Sequence, residues 1–469
     1  MTGKAGADFD HFNGPDLITL DREEHLFISD SWNNRVQVFS KAGAYLTTIG
    51  GAFGNLSGEM RGAYGVAFDS TNNMFVADTG NHRIQKFTFG VPNWQQMNVN
   101  AFGDFPNNAV SALESFGGKL YAGTQNVYGA QIWRMTDPGV WSRIVVGGFG
   151  DANTNSINDF IAFNSRLYIG VTNKVKGGMV YRSNTGDTWA PMTLPGLDVN
   201  NGAITRFTEY NHALFAATSY FTYTHGAEIW TSSTGDSGDW MKVYDDSFGT
   251  PYNRVIESFA SFNGYLYAGT YNRQAGGGAE VLRSANGAEG TWNKVNTGGF
   301  GDPGNFEVSA LVPFKGYLYA STSHMPGAGI ELWRCQVCGG SDWKQVTLSD
   351  LNVQSTGPSN LIVDGDELIL TIGNPVAGFG VRRSTDGVTW TLLGSGGLGN
   401  ANNKSLYYSG TMPVINNPTY VRNLSMALHN NELYLGTMNT ASGGEVWLYG
   451  TTSPIPSGHK LFLPLTPKS

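Results

Sequence analysis

A short run of apolar residues followed by small ones returns nine times along the chain. It begins at the residues Leu26, Met74, Leu120, Leu167, Leu214, Leu266, Leu318, Leu368 and Leu433. Successive copies are 46 to 65 residues apart, and most of the steps are close to 50. Around each copy, short apolar segments alternate with Gly-rich and Asn-rich turns, so each unit is predicted to contain four β-strands.

Four short strands in each unit of about 40 to 50 residues are typical of a β-propeller. The pattern therefore predicts an all-β fold, a β-propeller of nine four-stranded repeat units that spans residues 1–452. Both faces of such a sheet are covered by its neighbours, which explains why the strands do not alternate strictly between apolar and polar residues.

Tryptophans follow the same period. Seven of them are predicted to open fourth strands, namely Trp94, Trp141, Trp189, Trp240, Trp292, Trp343 and Trp390. Four more fall in third strands, at Trp133, Trp230, Trp333 and Trp447, and only Trp32 lies off the repeat. Eleven of the twelve tryptophans are thus predicted to fill the core between sheets rather than to display a binding surface.

Composition and charge argue against nucleic acid and the membrane interior as partners. The chain has 63 glycines, 14% charged residues and a net charge of −8, which suits tight turns and offers no basic surface for nucleic acid. No stretch approaches the roughly 18 apolar residues that span a bilayer, and the first ten residues lack the apolar core of a secretory signal. Abundant Asn, Thr, Gly and Tyr lead us to expect an extracellular or cell-surface monomer.

Residues 14–90 resemble NHL repeats. The resemblance rests on "GPDLITLD", "LFISDSWNNRVQVF", "AYGVAFD" and "MFVADTGNHRIQKF", the last with Asp78, Asn81, His82, Arg83 and Phe87 at the family positions. It implies a propeller, commonly of six blades, and some relatives are enzymes that hold a metal in the central channel. It also implies that His82 is a turn residue between second and third strands rather than a metal ligand.

Residues 91–452 resemble the Asp-box propellers of the sialidase superfamily. The segments "RSNTGDTW", "RSANGAEGTW" and "RSTDGVTW", at Arg182, Arg283 and Arg383, carry the resemblance, although only Asp386 stands near the expected acid. In that family the box is a structural turn. The resemblance therefore implies the propeller fold and says nothing about activity. Nine blades exceed the usual four to eight, so the alternative to the nine-unit propeller is a smaller ring with the NHL-like units appended.

Acids and arginines repeat with the units, which argues against a catalytic site. The acids Glu228, Glu280, Glu331 and Glu445 precede third strands, and the arginines assigned to third strands are Arg134, Arg182, Arg283, Arg334 and Arg382. General acid and base roles need groups in different environments, so no catalytic residue is predicted. We expect a non-catalytic binding or scaffold propeller that recognises a protein or a glycan on its loop-rich face, with a glycan-active hydrolase or lyase as the alternative.

Glycine-rich loops such as "GGFGDPGN" lie between units and allow two interpretations. In one, Gly, Asp and Asn are turn residues. In the other, oxygen ligands hold structural calcium or another hard cation. The candidate ligands are Asp104, Asp151, Asp302, Asn107, Asn253 and Asn305.

Three further features complete the sequence-based expectations. Unit five places aromatic residues where other units have small ones, so its ligand-binding candidates are Tyr220, Phe221, Tyr223 and His225, unless they fold over their own blade. Cys335 and Cys338 are expected to form a hairpin disulfide, a reduced pair and a redox or metal role being the alternatives. In the tail, 453–469, residues 460–463 are predicted to supply the last outer strand, in competition with residues 3–9.

Overall fold

The computed structural model is all-β, and its chain divides into two compact units. The first unit comprises residues 1–95 and 450–469, and the second comprises residues 96–449. The structure describes residues 5–8, 11–21, 25–39, 43, 45–55, 59–69, 73–88, 93–173, 175–193, 196–198, 201–220, 225–245, 252–272, 274, 276–324, 329–340, 342–348, 359–404 and 424–450. No helix among these residues is long and apolar enough to cross a membrane.

In its described residues the first unit contains two antiparallel sheets. The strands of one are Pro15–Leu20, Leu26–Asp30, Arg35–Phe39 and Tyr45–Gly50, and those of the other are Ala63–Phe68, Asn73–Asp78 and Arg83–Thr88. Apolar side chains of both sheets, including Val36, Val66 and Val76, form one buried cluster. Burial of this shared cluster holds the two sheets of the unit together.

In both sheets of the first unit, a single helical turn joins the second strand to the third. The turns are Ser31–Asn33 and Thr79–Asn81, followed by left-handed residues at Asn34 (φ 55°) and His82 (φ 53°). In the second turn Arg83 donates to the buried Asp78 carboxylate over 2.8 Å. His82 is therefore a turn residue, in the conformation that His adopts more readily than most residues do.

The described residues from Asn93 to Gly450 form seven four-stranded sheets, which we call blades 1 to 7 and which extend a few residues beyond the second unit at each end. The strands of blades 1 to 4, in order, are Asn107–Phe116, Lys119–Asn126, Ile132–Asp137, Val140–Val145; Thr154–Phe163, Arg166–Asn173, Met179–Ser183, Ala190–Pro191; Asn201–Tyr210, Ala213–Tyr220, Ile229–Ser232, Met241–Tyr244; and Asn253–Phe262, Tyr265–Asn272, Val281–Ser284, Asn293–Lys294. The strands of blades 5 to 7 are Asn305–Phe314, Tyr317–His324, Leu332–Cys335, Lys344–Val346; Ser359–Asp364, Glu367–Ile372, Gly380–Ser384, Thr391–Gly394; and Leu424–His429, Glu432–Thr437, Val446–Gly450, Asn93–Gln96.

Among the described residues, four helical turns lie between blades of the second unit. They are Asn100–Gly103, Gly147–Gly150, Gly298–Gly301 and Gly396–Gly399. Three loop residues separate each of the first three from the next first strand, and after Gly396–Gly399 the next described strand is Leu424–His429.

First strands of neighbouring blades contact one another all round the ring, which places them at its centre. A β-bulge in the first strand of blade 2 lets the Asn158 amide donate to the Ile204 carbonyl of blade 3. Ser111 of blade 1 and Thr205 of blade 3 donate in the same way to the following blades. These repeated side-chain hydrogen bonds join the inner strands of successive blades.

The ring closes between blade 7 and blade 1. Ser425 of blade 7 donates to the Val110 carbonyl of blade 1 over 2.9 Å, and the first strands of the two blades are in contact. The described blades 1 to 7 close a ring by themselves, so a single ring of nine blades is not confirmed. The described residues have the smaller ring that was the alternative from the sequence.

An early segment of the chain completes the last blade. The sequence analysis predicted that Trp94 opens a fourth strand, and its strand, Asn93–Gln96, is the fourth strand of the blade 7 sheet. Beyond that strand, Met97 N donates to the Val446 carbonyl, and Val446 N donates to Asn98 Oδ1, both over 2.7 Å. The tail, residues 453–469, lies outside the described residues.

Candidate functional site

Two sets of loops share one face of the ring. They are the connections between blades and the connections between the second and third strands of each blade. Backbone hydrogen bonds join one set to the other, as from Gly148 N to Ala130 O and from Gly299 N to Ala279 O. We call this side of the second unit the loop-rich face.

The Gly-Gly-Phe-Gly turns of this face are structural. Gly299 and Phe300 both have left-handed backbone angles, with φ of 58° and 59°, a conformation that is costly for a bulky residue. The Phe300 ring stacks on Trp333, with ring centroids 5.0 Å apart, and meets Trp343 edge-on. The turn therefore presses an aromatic ring onto the blade that follows it.

Carboxylates proposed as calcium ligands already have protein partners. Asp302 accepts a hydrogen bond from Gly304 N over 2.8 Å, and Asp104 accepts one from Gln131. Lys176 bonds to Asp151 over 2.9 Å and, as the largest of several contributions, lowers the pKa of Asp151 to about 2. Asp302 thus caps its own turn, as turn chemistry predicts, whereas Asp104 and Asp151 bind side chains from other segments.

The asparagines of the calcium hypothesis are buried and hydrogen-bonded as well. Asn305 donates to Glu331 Oε2 over 2.6 Å, Asn253 donates to Glu280, and Asn107 donates to Gln131. No group of three or more His, Cys, Asp or Glu side chains in the described parts of the chain could hold a metal ion. The structure thus brings Asp302 and Asn305 into one turn, and Asp104 and Asn107 into another, without gathering the six residues into one cluster; calcium binding stays a prediction.

The repeated glutamates before the third strands accept structural hydrogen bonds. Glu228, Glu331 and Glu445 each accept a hydrogen bond over 2.9 Å from the indole N–H two residues later, at Trp230, Trp333 and Trp447. Because the same contact recurs in three blades, these acids are structural and are not positioned for acid or base chemistry.

Of the four aromatic candidates in blade 3, two can be located. Tyr220 ends the second strand with 5% of its surface exposed, and its ring centroid lies 5.1 Å from that of His225, which is exposed. Phe221 and Tyr223 lie outside the described residues. Tyr220 is therefore part of the core, and His225 is the described member that solvent reaches.

Exposed apolar side chains on the loop-rich face escaped the sequence analysis. Tyr128 is 73% exposed and Phe105 is 63% exposed. Valines at or beside the same loops are at least 58% exposed, at Val99, Val127, Val146, Val175 and Val376. The sequence could have indicated this surface. Loop tips ordinarily carry small or polar residues, and these predicted loops carry apolar ones.

Four consecutive first strands carry charged residues at the centre of the ring. They are Glu114, Asp159, Arg206 and Glu257, which we call the central cluster, at positions where other blades have mostly Ala, Ser, Thr or Val. Arg206 Nη2 lies 3.7 Å from Glu257 Oε2, and Asp159 accepts a hydrogen bond from Phe207 N. Burial and, secondly, the nearby charge of Asp159 raise the pKa of Glu114 to about 8.

Blade 6 departs from the repeat at Arg382. The sequence analysis grouped this residue with the repeated arginines. The strand pairing shows that the next residue, Arg383, takes the repeated position instead. Arg383 lies opposite Ile369, as Arg334 lies opposite Tyr319, whereas Arg382 occupies the position that Trp333 has in blade 5. A charged residue thus replaces an aromatic one.

Cys335 and Cys338 are joined by a disulfide at the tip of the blade 5 hairpin. Both residues are fully buried. The Asp342 carboxylate accepts hydrogen bonds from the N–H groups of Val337, Cys338 and Gly339 in the same turn. The disulfide and Asp342 both stabilise this turn.

Comparison with known proteins finds one repeat family and several solved structures of low sequence identity. Residues 62–87 match the NHL repeat family, and no curated protein matches the chain. YCF48 from Cyanidioschyzon merolae is 11% identical at a TM-score of 0.48, covering 76% of this chain and 99% of its own. A streptogramin B lyase is 10% identical, also at 0.48, covering 76% and 97%. A luciferin-regenerating enzyme is 10% identical at 0.31, covering 66% and 84%.

Proposed function

We propose that the protein is a non-catalytic binding or scaffold propeller of the cell exterior, and that its loop-rich face recognises a protein or a glycan. One observation carries the proposal, the exposed apolar side chains on successive loops of that face, led by Tyr128 and Phe105. Clusters of exposed apolar residues on soluble proteins commonly mark interaction sites, and aromatic residues are frequent binding anchors.

The charged groups of the same face support a binding role over a catalytic one. Its carboxylates hold backbone N–H groups, amides and indoles of the blades, as Asp302 and Glu331 do. Groups engaged in this way keep the loops in place and leave the exposed apolar residues as the contact surface.

A glycan array and a cross-linked pull-down with the full chain would test the proposal. Replacing Tyr128 and Phe105 together by Ser should weaken retention of the partner at least tenfold, because truncated anchors cost 2 kcal/mol or more. Val140→Ser is the matched control, since Val140 is 54% exposed but starts a fourth strand, at the opposite face. Absence of any specific partner, or equal loss in the control, would refute a binding role for this face.

A glycan-active hydrolase or lyase is the second candidate, and the central cluster favours it. Glu114 keeps its proton at neutral pH while Asp159 lies near enough to influence its charge, which are the different environments that an acid and a base require. Turnover of neutral, sialylated and uronic-acid glycans that falls at least a hundredfold in Glu114→Gln would support it. Activity that is absent from the wild type would exclude it.

The Asp-box resemblance of residues 91–452 belongs to the same proposal. Supporting it, the serine hydroxyls of the three turns that carry the resemblance accept hydrogen bonds from glycine N–H groups, from Gly186 to Ser183, from Gly287 to Ser284 and from Gly387 to Ser384.

A further inference from the structure

The two sheets of the first unit are built on one repeat and have the same strand register. In the first sheet, which we call the front sheet, Ile18 pairs with Ile28. In the second, which we call the back sheet, Val66 pairs with Val76 at the same positions. Residues of the front sheet therefore have counterparts in the back sheet, and the surroundings of the two can be compared.

The contact between the two sheets buries one face of each. Val36 of the front sheet is fully buried and Val66 of the back sheet is 4% exposed, and both belong to one apolar cluster. The rings of Phe27 in the front sheet and Phe68 in the back sheet meet edge-on, with centroids 4.8 Å apart. One chain thus contains a complete example of how a front sheet packs on a back sheet.

The other face of the front sheet is apolar and exposed, and we call it the front face. Its first strand carries Ile18 and Leu20, which are 58% and 54% exposed. By strand register they are the counterparts of Val66 and Phe68, which pack against the front sheet. The front face therefore presents to solvent the same kind of side chains that the back sheet buries.

The other face of the back sheet, which we call the back face, carries the complementary half of the contact. Ile84 is the counterpart of the buried Val36 and is 65% exposed. Phe75 is the counterpart of Phe27, and the Lys86 ammonium lies 5.4 Å from the centre of its ring. Lys86 is exposed, and a long lysine side chain keeps its charge in water while its stem lies on apolar surface.

A hydrogen bond gives the contact its direction. From the front sheet, the Ser31 hydroxyl donates to the Ala63 carbonyl of the back sheet over 2.8 Å. Thr79 is the counterpart of Ser31 in the back sheet, is exposed, and makes a long bond of 3.5 Å to the Ala77 carbonyl. The counterpart of Ala63 is Pro15, whose carbonyl offers Thr79 the equivalent acceptor in another molecule.

We propose that a second copy of the chain docks on the first unit head to tail, with the back face of one molecule on the front face of the next. Phe75 of one molecule then meets Leu20 of the next. Ile84 and Ile18 enter the same new apolar cluster. The occupant is a second copy because the contact continues the packing that already joins the two sheets within one chain. This proposal replaces the monomer expected from composition and does not depend on the proposed function.

Sedimentation equilibrium of the full chain measures the assembly. Because assembly depends on concentration, the wild type should self-associate as its concentration is raised to about 100 µM. Ile18→Asp and Ile84→Asp each place a charge in one half of the contact and should weaken self-association at least tenfold. Both side chains are exposed, so urea unfolding should show that the variants fold as the wild type does.

Val140→Asp is the matched control. Val140 is 54% exposed but begins the fourth strand of blade 1, so this variant should self-associate as the wild type does.

An equimolar mixture of the two interface variants tests the direction of the contact. Ile18→Asp keeps an intact back face, and Ile84→Asp keeps an intact front face. One molecule of each can therefore form a single head-to-tail contact, and the mixture should contain dimers that neither variant forms alone.

Four outcomes overturn the proposal. They are a wild type that stays monomeric, an equal loss in Val140→Asp, a mixture no more associated than its two components, and a loss in Ile18→Asp without one in Ile84→Asp. The last would mean that two front faces pair symmetrically, because a symmetric contact uses the same face of both molecules.

Discussion

Removing the charge of Glu114 should stabilise the second unit at neutral pH. The carboxyl lies on the first strand of blade 1, where burial and then Asp159 raise its pKa from an ordinary 4.5 to about 8. Between these two pH values the folded protein keeps a proton that the unfolded chain releases. Folding stability must therefore fall as pH rises through this window. Glu114→Gln, which is neutral in both states, removes that dependence.

The size of the effect follows from the pKa difference. Each pH unit above 4.5 costs the folded state about 1.4 kcal/mol, so the full effect at pH 7 is about 3 kcal/mol. Solvent reaches part of the Glu114 side chain and screens its charge, which reduces the expected gain to about 1–2 kcal/mol.

Urea unfolding at pH 5, 6, 7 and 8, followed by tryptophan fluorescence, measures this gain. The difference between Glu114→Gln and the wild type should be smallest at pH 5 and grow up to pH 8. Asp137→Asn is the matched control, because Asp137 is an exposed acid at the end of a third strand. A difference that does not change with pH, or an equal gain in the control, would refute the reasoning.

Three further outcomes are expected. Asn98→Ala should cost about 2 kcal/mol of unfolding free energy, because Val446 N would be left buried without an acceptor; unchanged denaturant midpoints would contradict this. Glu445→Ala should cost about 3 kcal/mol, since Asn400, Asn403 and Trp447 all donate to that carboxylate, and a change below 1 kcal/mol would show that they find other acceptors. The calcium hypothesis predicts that a chelator lowers the melting temperature without unfolding the protein and that added calcium restores it. A melting temperature that changes with neither addition would refute the hypothesis.

Local pattern was enough to predict the strands. The nine apolar phrases fall in second strands, and residues such as Trp141 and Trp343 lie in or directly before fourth strands, because burial between sheets demands the same residue types in every unit. Blade number and strand partners were harder to predict. Trp94 has the local pattern of any fourth strand, and only tertiary structure decides which third strand it joins.

The candidate sites show the same limit. Repetition correctly marked Glu331 and Asp302 as architectural, since residues fixed by the repeat have repeated partners. The central cluster was missed because its four members are far apart in sequence and only Asp159 and Arg206 share a register position. Arg382 was wrongly assigned to the repeat because it stands beside Arg383, and strand pairing was needed to tell which of the two follows the repeat.

The hydrogen bond from Val446 to Asn98 spans 348 residues and has consequences for how the protein is made. During synthesis, the segment after Trp94 leaves the ribosome long before the third strand that it joins, so ring closure is a late folding event. Until then the inner edge of blade 1 lacks its neighbour, and an open strand edge can pair with another chain. Slow translation or crowding should therefore favour exchanged oligomers, in which the early segment of one molecule completes blade 7 of the next.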